Sequence, residues 1–162
     1  MSRLTGVEIR PYTEKDYPNI TKYSLPEEQA IYTSLPIAVI EAFQMDANNL
    51  PFVIYSGDDL VGCFALYTDQ SGNVYTSNAS ALLFKSLSID SRFQNRGYAL
   101  QSLKSLTEMA KRLFPDKNEI ILTVHHTNTP AITLYVKAGF MDKGLRFAGE
   151  YGEELIFHYA LE

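Results

Sequence analysis

The residues best suited to chemistry lie in the stretch SRFQNRGYALQSL, residues 91–103, directly before an apolar-periodic run. The first turn of a helix leaves backbone N–H groups without partners and carries a partial positive charge, so such a stretch can bind an anion. Gly97 would let the backbone approach that anion closely, and Ala99 keeps the next position small. Arg92 and Arg96 add charged hydrogen-bond donors. The spacing is neither a P-loop nor a G-x-G-x-x-G fingerprint, so a phosphate-binding loop and a glycine that eases a turn are both left open.

The elements around this stretch alternate between strand and helix. Apolar runs predict strands at VEIRPY, ALLFKSLSID and EIILTVHH, the last apolar enough for a buried parallel strand. They also predict a hairpin at PFVIYSGDDLVGCFALYT and a second pair of strands around residues 149–152. Helical spacing follows Thr13, with Asp16 completing a capping box, and occupies residues 26–48 in two pieces separated at Pro36.

Two further helices flank the strand EIILTVHH. In YALQSLKSLTEMAKRLFP, the predicted apolar face consists of Leu100, Leu103, Leu106, Ala110, Leu113 and Phe114. In NTPAITLYVKAGF, we expect Thr129 to be the N-cap, Pro130 to lie in the first turn and Gly139 to follow the end. The result is a strand–loop–helix–strand–helix unit at the centre of one α/β domain that covers residues 1–162.

The amino-acid composition limits the cellular environment and the binding partners to be expected for this protein. The 162 residues are 46% hydrophobic and 20% charged, which is typical of a soluble globular protein. The net charge of −5 argues against a nucleic-acid partner, because phosphate binding favours a surplus of Lys and Arg. No apolar run approaches the roughly 20 residues that span a bilayer, and the first residues lack the apolar core of a signal peptide. Cys63 is the only cysteine, so an internal disulfide is impossible, and we interpret it as a small buried hydrophobic residue. We therefore expect a protein of the reducing cytoplasm, without a membrane partner.

Two motifs in this order resemble those of a known family. QNRGYA, Gln94 to Ala99, is similar to the Gln/Arg-x-x-Gly-x-Gly/Ala signature of the GNAT N-acetyltransferase superfamily. LTVHHTNTPAITLYVKAGF resembles that family's Leu-x-Val-x-x-x-Asn-x-x-Ala-x-x-Leu-Tyr-x-Lys-x-Gly-Phe segment. The matching positions are Leu122, Val124, Asn128, Ala131, Leu134, Tyr135, Lys137, Gly139 and Phe140. The opening IRPYTEKD and the hairpin LVGCFALY also resemble their counterparts, so the likeness covers nearly the whole chain. It implies a mixed central sheet of six to seven strands flanked by about four helices.

The resemblance also implies a reaction and a cofactor. The reaction is transfer of an acetyl group from acetyl-CoA to a primary amine of a small molecule or peptide, without a metal. The residues implied for the pyrophosphate of CoA are Gln94, Asn95, Arg96, Gly97, Tyr98 and Ala99. Those implied for the pantetheine arm are Leu87, Ser88 and Ile89, at the end of the preceding strand. Asn128 is expected to contact the cofactor near the second helix.

Tyr135 occupies the position of the family's general acid, which protonates the departing thiolate. A phenol can do this when it is held at hydrogen-bond distance. A packing role is the alternative, since Ile132 and Val136 on the same helix already face a core. A variant that lacks the hydroxyl distinguishes the two roles.

The general base is less well defined. Relatives often carry a glutamate at positions that hold Lys85, Ser86 or Thr123 in this chain, so the resemblance supplies no carboxylate base. His125 and His126 follow the strand EIILTV, and imidazole exchanges protons near neutral pH. Because adjacent strand residues face opposite sides, at most one of them is expected in the cleft. Ordered water that carries the proton to bulk solvent is an equal alternative.

The acceptor side is open at this stage. In relatives the N-terminal helices form one wall of the acceptor-binding site. The corresponding residues here are Tyr23, Tyr32, Phe43, Glu27 and Glu28, and residues 147–154 correspond to the opposite wall. Exposed strand edges near the C terminus are compatible with a homodimer. A second function class, a non-catalytic sensor or interaction domain that binds CoA or acyl-CoA, is also compatible with the missing carboxylate base.

Overall fold

A computed structural model describes residues 6–161. Seven strands form one mixed sheet in the order β1-β2-β3-β4-β5-β7-β6. The strands are β1 (Glu8–Pro11), β2 (Asn49–Ser56), β3 (Asp59–Tyr67), β4 (Ala81–Ile89), β5 (Glu119–His125), β6 (Met141–Gly149) and β7 (Gly152–Ala160). The helices are α1 (Tyr17–Ile20), α2 (Glu27–Ala30), α3 (Pro36–Met45), α4 (Tyr98–Leu113) and α5 (Thr129–Lys137). The expected mixed sheet of six to seven strands flanked by about four helices is confirmed, with seven strands and five α-helices among the described residues.

The sheet has two apolar faces because side chains alternate along each strand. One face, which we call the α4 face, packs against α4 and α5 through the main core, with Phe64, Leu82 and Ile120 at its centre. The opposite face, the α1 face, is covered over β2 and β3 by residues of the N-terminal helices. Over β4, β5 and β7 it packs instead around Ile121 and Ile156. Cys63 is buried on the α1 face, and burial raises the pKa of its thiol to about 12.

The strand EIILTVHH differs from its prediction in one respect. β5 pairs in parallel with β4 only from Glu119 to Ile121, whereas it pairs antiparallel with β7 along its whole length. It is buried as expected, but its apolar sequence reflects two covered faces rather than two parallel neighbours. No helix among residues 6–161 is long and apolar enough to cross a membrane.

Two details of the central helices correct the sequence analysis. Leu113 is 45% exposed, because the chain turns after α4 and Phe114 packs against the core instead. The N-cap of α5 is Asn128 rather than Thr129: the Asn128 side chain accepts a hydrogen bond from the N–H of Ala131 at 3.4 Å. Both residue types cap helices well, so the sequence pattern does not choose between neighbours.

A buried carboxylate joins β1 to the N-terminal helices. Asp16 is 1% exposed and accepts hydrogen bonds from Arg10 at 2.7 and 3.0 Å, from the N–H of Thr13 at 2.9 Å and from the hydroxyl of Tyr55 at 2.7 Å. Burial opposes its charge, but these donors outweigh burial and lower the pKa of Asp16. The capping box predicted between Thr13 and Asp16 is present.

We expect Asp16→Ala to lower the free energy of unfolding by about 3 kcal/mol at pH 7, because it leaves buried donors without a partner. Since the pKa of Asp16 is lower in the folded chain, its contribution is complete above the ordinary value of 3.8 and disappears as the pH falls through the folded-state pKa. Urea unfolding at pH 7 and at pH 3 measures both effects. Asp142→Ala, which breaks an exposed pair with Arg146, is the control. Equal losses in the two variants would contradict the prediction.

Candidate active site

The sheet opens between β4 and β5. Their pairing stops at Leu83 and Ile121, although both strands continue to Ile89 and His125. Near the opening, β4 shifts its register against β3, and Ser86 adopts a left-handed backbone with φ of 62°. A bulge of this kind bends a strand and ends its pairing. The second half of β4 therefore presents backbone groups to a gap rather than to a neighbouring strand.

The loop after β4 forms an anion-binding arrangement at the N-terminus of α4. Asn95 and Gly97 both have left-handed backbones, with φ of 62° and 81°. The first hydrogen bond of the helix runs from Gln101 N–H to the Gly97 carbonyl at 3.1 Å. The N–H groups of residues 95–100 consequently donate to no backbone or side-chain acceptor in the described chain. Backbone N–H groups that converge at the positive end of a helix suit a pyrophosphate.

We call residues 95–100 the N–H cradle. It contains Asn95, Arg96, Gly97, Tyr98 and Ala99, the residues that the resemblance implied for the pyrophosphate. Gly97 has a positive φ that L side chains rarely adopt, and, apart from its chain neighbours, the only described residue within 4 Å of an added Cβ would be Gln101, whose side chain lies at 3.7 Å.

Two of the side chains around the cradle that were expected to bind a phosphate already have protein partners. Arg92, expected to add charge for an anion, forms an ion pair with the fully buried Asp90 at 3.0 Å. Arg96 makes a long contact of 3.4 Å with the Arg92 carbonyl and lies over the Phe93 ring at 5.6 Å, but it forms no ion pair with a described residue. The Gln94 amide donates to the Ile89 carbonyl at 2.7 Å and forms two hydrogen bonds with the Gln29 amide, at 2.8 and 2.9 Å. Arg96 is thus the better-placed cation for a phosphate.

An N-terminal segment crosses the opening. It contains Glu27, Glu28 and Tyr32, which the sequence analysis placed in one wall of the acceptor site by resemblance, but its contacts across the gap were not predicted. Besides Gln29, its contacts on the β4 side include Ser24, whose carbonyl accepts from the Ser91 N–H at 2.9 Å. On the β5 side, the Tyr32 hydroxyl lies 3.0 Å from that of Thr127. We call residues 24–33 the crossing segment. Because its contacts lie on both sides of the gap, it borders any molecule that enters there.

The strand end expected to hold pantetheine is covered by this segment. The hydroxyl of Thr33 donates to the Leu87 carbonyl at 3.1 Å. Ser88 points its side chain to the α1 face, where its hydroxyl lies 2.7 Å from that of Tyr23. Tyr23 is 9% exposed and is a core residue, so it does not form the acceptor wall that the sequence suggested. Only the backbone of residues 87–89 is placed to pair with a cofactor.

We expect Thr33→Val to tighten CoA binding by up to about fivefold, because it frees the Leu87 carbonyl of a competing hydrogen bond worth about 1 kcal/mol. Isothermal titration with CoA measures the change. Thr21→Val is the control, because it removes a hydroxyl that donates to the Pro18 carbonyl elsewhere in the N-terminal region. Unchanged or weaker binding by Thr33→Val would show that this hydrogen bond does not obstruct the strand end.

Tyr135 lies beside the gap. Its ring is edge-on to Phe84 of β4, with centroids 6.4 Å apart, and to Phe140 at 5.9 Å. The residue is 9% exposed, yet its hydroxyl makes no hydrogen bond with any described residue. Burial raises the pKa of Tyr135 well above its ordinary value, so the phenol keeps its proton. The Tyr135 ring therefore packs in the core, while its hydroxyl has a proton and no acceptor among the described residues.

The two histidines behave differently from the sequence expectation. Their rings stack with centroids 4.7 Å apart instead of facing opposite sides, because His126 follows the last residue of β5. His125 Nε2 lies 2.8 Å from the Tyr151 carbonyl and so carries the proton, while Nδ1 lies 2.7 Å from the Thr127 hydroxyl. Both nitrogens of His125 are therefore occupied. The exposed His126 ring has no hydrogen bond among the described residues.

Asn128 is placed at the start of α5, next to these histidines. Its side-chain oxygen is used as the helix cap, which leaves the amide NH₂ group to contact another molecule. The predicted contact with a cofactor is compatible with this geometry but falls to the amide nitrogen alone.

Comparison with known proteins agrees with this geometry. Residues 14–140 match the model of the acetyltransferase (GNAT) family. The uncharacterized N-acetyltransferase YbbJ of Bacillus subtilis is 36% identical over 156 residues, which cover 96% of this chain and 98% of that protein. Among solved structures, the aminoglycoside acetyltransferase AAC(6')-Ib in complex with coenzyme A and kanamycin has a TM-score of 0.78 at 15% identity, over 95% of this chain and 94% of that one. Spermidine N-acetyltransferase from Vibrio cholerae, in complex with CoA and spermine, has a TM-score of 0.65 at 18% identity, over 97% and 96%.

Proposed function

Since the chain belongs to the acetyltransferase (GNAT) family and is thereby an acetyl-CoA-dependent N-acetyltransferase, we propose that it acetylates a primary amine of a small molecule or peptide by direct attack, with Tyr135 as the general acid. The observation that carries the proposal is the N–H cradle beside a gap in the sheet, next to the Tyr135 ring, which contacts Phe84 of β4 and whose hydroxyl has no hydrogen bond among the described residues. The similar folds that hold kanamycin or spermine support an amine as the acceptor.

The cradle binds the donor. Backbone N–H groups of residues 95–100, with the Arg96 guanidinium, receive the pyrophosphate. The backbone of residues 87–89 pairs with the pantetheine arm after Thr33 moves from the Leu87 carbonyl. When bound, acetyl-CoA supplies the acetyl group as a thioester. Asn128 contacts the cofactor through its amide NH₂ group. Gln94, expected from the resemblance to contact the cofactor as well, donates instead to the Ile89 carbonyl and to Gln29 and so supports the loop from behind.

Tyr135 supplies the proton that the leaving sulfur requires. Its buried phenol stays protonated and has no competing partner, so its O–H is available to a developing thiolate. Packing of the ring against Phe84 and Phe140 restricts its motion and orients the hydroxyl.

The proton of the attacking amine leaves through water. His125 does not accept it, because its unprotonated Nδ1 already accepts from Thr127. The exposed His126 ring lies at the solvent end of this route and can take the proton from water. A neutral amine formed in this way attacks the thioester carbonyl directly.

A panel of amines tests the proposal. In each reaction the protein is mixed with acetyl-CoA and one candidate acceptor. The panel of acceptors contains small amines, amino acids, aminoglycosides and peptides. Release of free thiol is followed, and mass spectrometry identifies the acetylated product. CoA affinity is measured in parallel by calorimetry. Thiol release that depends on an amine supports the proposal. Tight CoA binding without transfer to any amine would favour the sensor function, and failure to bind CoA would overturn the cofactor site.

A further inference from the structure

Glu154 lies on the strand next to β5, which borders the opening. It is the third residue of β7 and pairs with His125 across β5. Cross-strand partners share a face, so Glu154 lies on the α1 face, as do Ile156 and its partner Thr123. The side chain is half-buried.

The carboxylate of Glu154 has no cation to balance it. It makes no hydrogen bond or ion pair with any described residue. His125, its cross-strand partner, directs both ring nitrogens to other groups. The neighbouring Glu153 differs, because it lies 4.0 Å from the Arg146 guanidinium. A half-buried carboxylate without a partner is costly, and a cationic ligand would remove that cost.

Aromatic rings lie beside this carboxylate. Tyr75 packs edge-on against Phe147 with centroids 4.8 Å apart, and Phe147 pairs with Glu154 across β6 and β7. Burial and the nearby carboxylate of Glu154 both raise the pKa of Tyr75. A carboxylate flanked by aromatic rings is a suitable environment for an ammonium group.

The backbone is shaped to admit the carboxylate. Glu154 folds over Gly149, where an added Cβ would collide with its carboxylate oxygen and lie 3.0 Å from the Gly152 carbonyl. Gly149→Ala would therefore displace the carboxylate without removing its charge. The backbone at Gly149 is not in the left-handed region, so alanine itself fits the conformation.

From these contacts we propose that Glu154, with Tyr75 and Phe147, binds a second cationic group of the acceptor, so that the preferred substrates are diamines or larger polycations rather than monoamines. The proposal rests on the proposed function for the reacting amine. Along the sheet, β7 is about one and a half strand spacings, roughly 7 Å, from the middle of the gap between β4 and β5. A second amine a few carbon bonds from the first spans this distance.

The experiment compares 1,5-diaminopentane with pentylamine, which differ in the second charge. For wild type we expect kcat/KM to be at least about tenfold higher for the diamine, as a charge-assisted contact would give. Glu154→Gln and Gly149→Ala should both reduce that ratio towards one, because they lower kcat/KM for the diamine more than for pentylamine. Glu153→Gln is the matched control, because it removes the same charge one residue away, and its ratio should stay at the wild-type value.

Calorimetric binding of the two amines to the complex with CoA separates this inference from the proposed function. Glu154-dependent preference for the diamine in binding, without acetyl transfer, would uphold the cation site and contradict the proposed function. Equal kcat/KM and equal affinity for the two amines in wild type would overturn the cation site. So would a diamine preference that survives in Glu154→Gln. Thermal unfolding of each variant confirms that it is folded before it is compared.

Discussion

Tyr135→Phe lowers kcat for acetyl transfer about 100-fold, within the usual range for loss of a general acid, and leaves the affinity for acetyl-CoA within about twofold. The substitution removes only the hydroxyl group, which has no hydrogen bond among residues 6–161, so packing of the ring against Phe84 and Phe140 is retained. Kinetics at saturating acetyl-CoA and amine measure kcat, and calorimetry measures the affinity. The effect should diminish with acetyl-donor thioesters whose thiolate leaves more readily, because their leaving group needs protonation less.

Tyr159→Phe is the matched control for this experiment. Its ring also packs against Phe140, with centroids 5.4 Å apart, and its hydroxyl has no hydrogen bond among the described residues. It should turn over at the wild-type rate. Equal kcat in Tyr135→Phe and wild type would assign Tyr135 to packing alone and would leave protonation of the thiolate to water.

Gly97→Val weakens CoA binding by at least about tenfold. A β-branched residue at φ of 81° is strained by roughly 1–2 kcal/mol, and relief of the strain rotates the N–H groups of the cradle away from one another. The measurement is calorimetric titration with CoA, compared with the free energy of unfolding in urea. The loss of affinity should be larger with CoA than with its dephosphorylated pantetheine fragment, which does not reach the cradle.

Gly57→Val isolates the contribution of strain. Gly57 also has a positive φ, of 61°, and nothing within 4 Å of an added Cβ, but it lies in the turn between β2 and β3. Both variants should lose similar stability, and only Gly97→Val should lose CoA affinity. Parallel losses of affinity would indicate general destabilisation rather than a phosphate site.

Local sequence patterns were sufficient to predict most of the strands and helices. Two-residue alternation and short apolar runs predicted the strands, and 3.6-residue spacing predicted α4, because these patterns reflect which side of an element is buried. End signals around Pro130 and Gly139 predicted α5. The mixed sheet followed from resemblance to a family, and the structure confirms it. Errors arose at element ends, where Asn128 rather than Thr129 caps α5 and where Leu113 is exposed.

The side-chain partners around the site were not predictable in the same way. Thr33 binds a carbonyl 54 residues away, and Gln29 pairs with an amide 65 residues away. The sequence suggested that Arg92 is free to bind an anion, but its guanidinium forms an ion pair with Asp90, two residues earlier. These contacts depend on how short, weakly patterned N-terminal helices cross the sheet, which local periodicity does not specify.

By itself, the sequence determined that a glycine loop opens a helix after a strand, that Tyr135 lies on the next helix, and that these belong to one family of acetyltransferases. Those features are local or carried by motifs. Only the tertiary structure decided that β4 and β5 separate after Leu83, that residues 24–33 cross the gap, and that Glu154 is left without a cation. The physical reason is that strand register, a bulge and cross-sheet contacts determine which distant groups meet, and that burial then determines which charges lack partners.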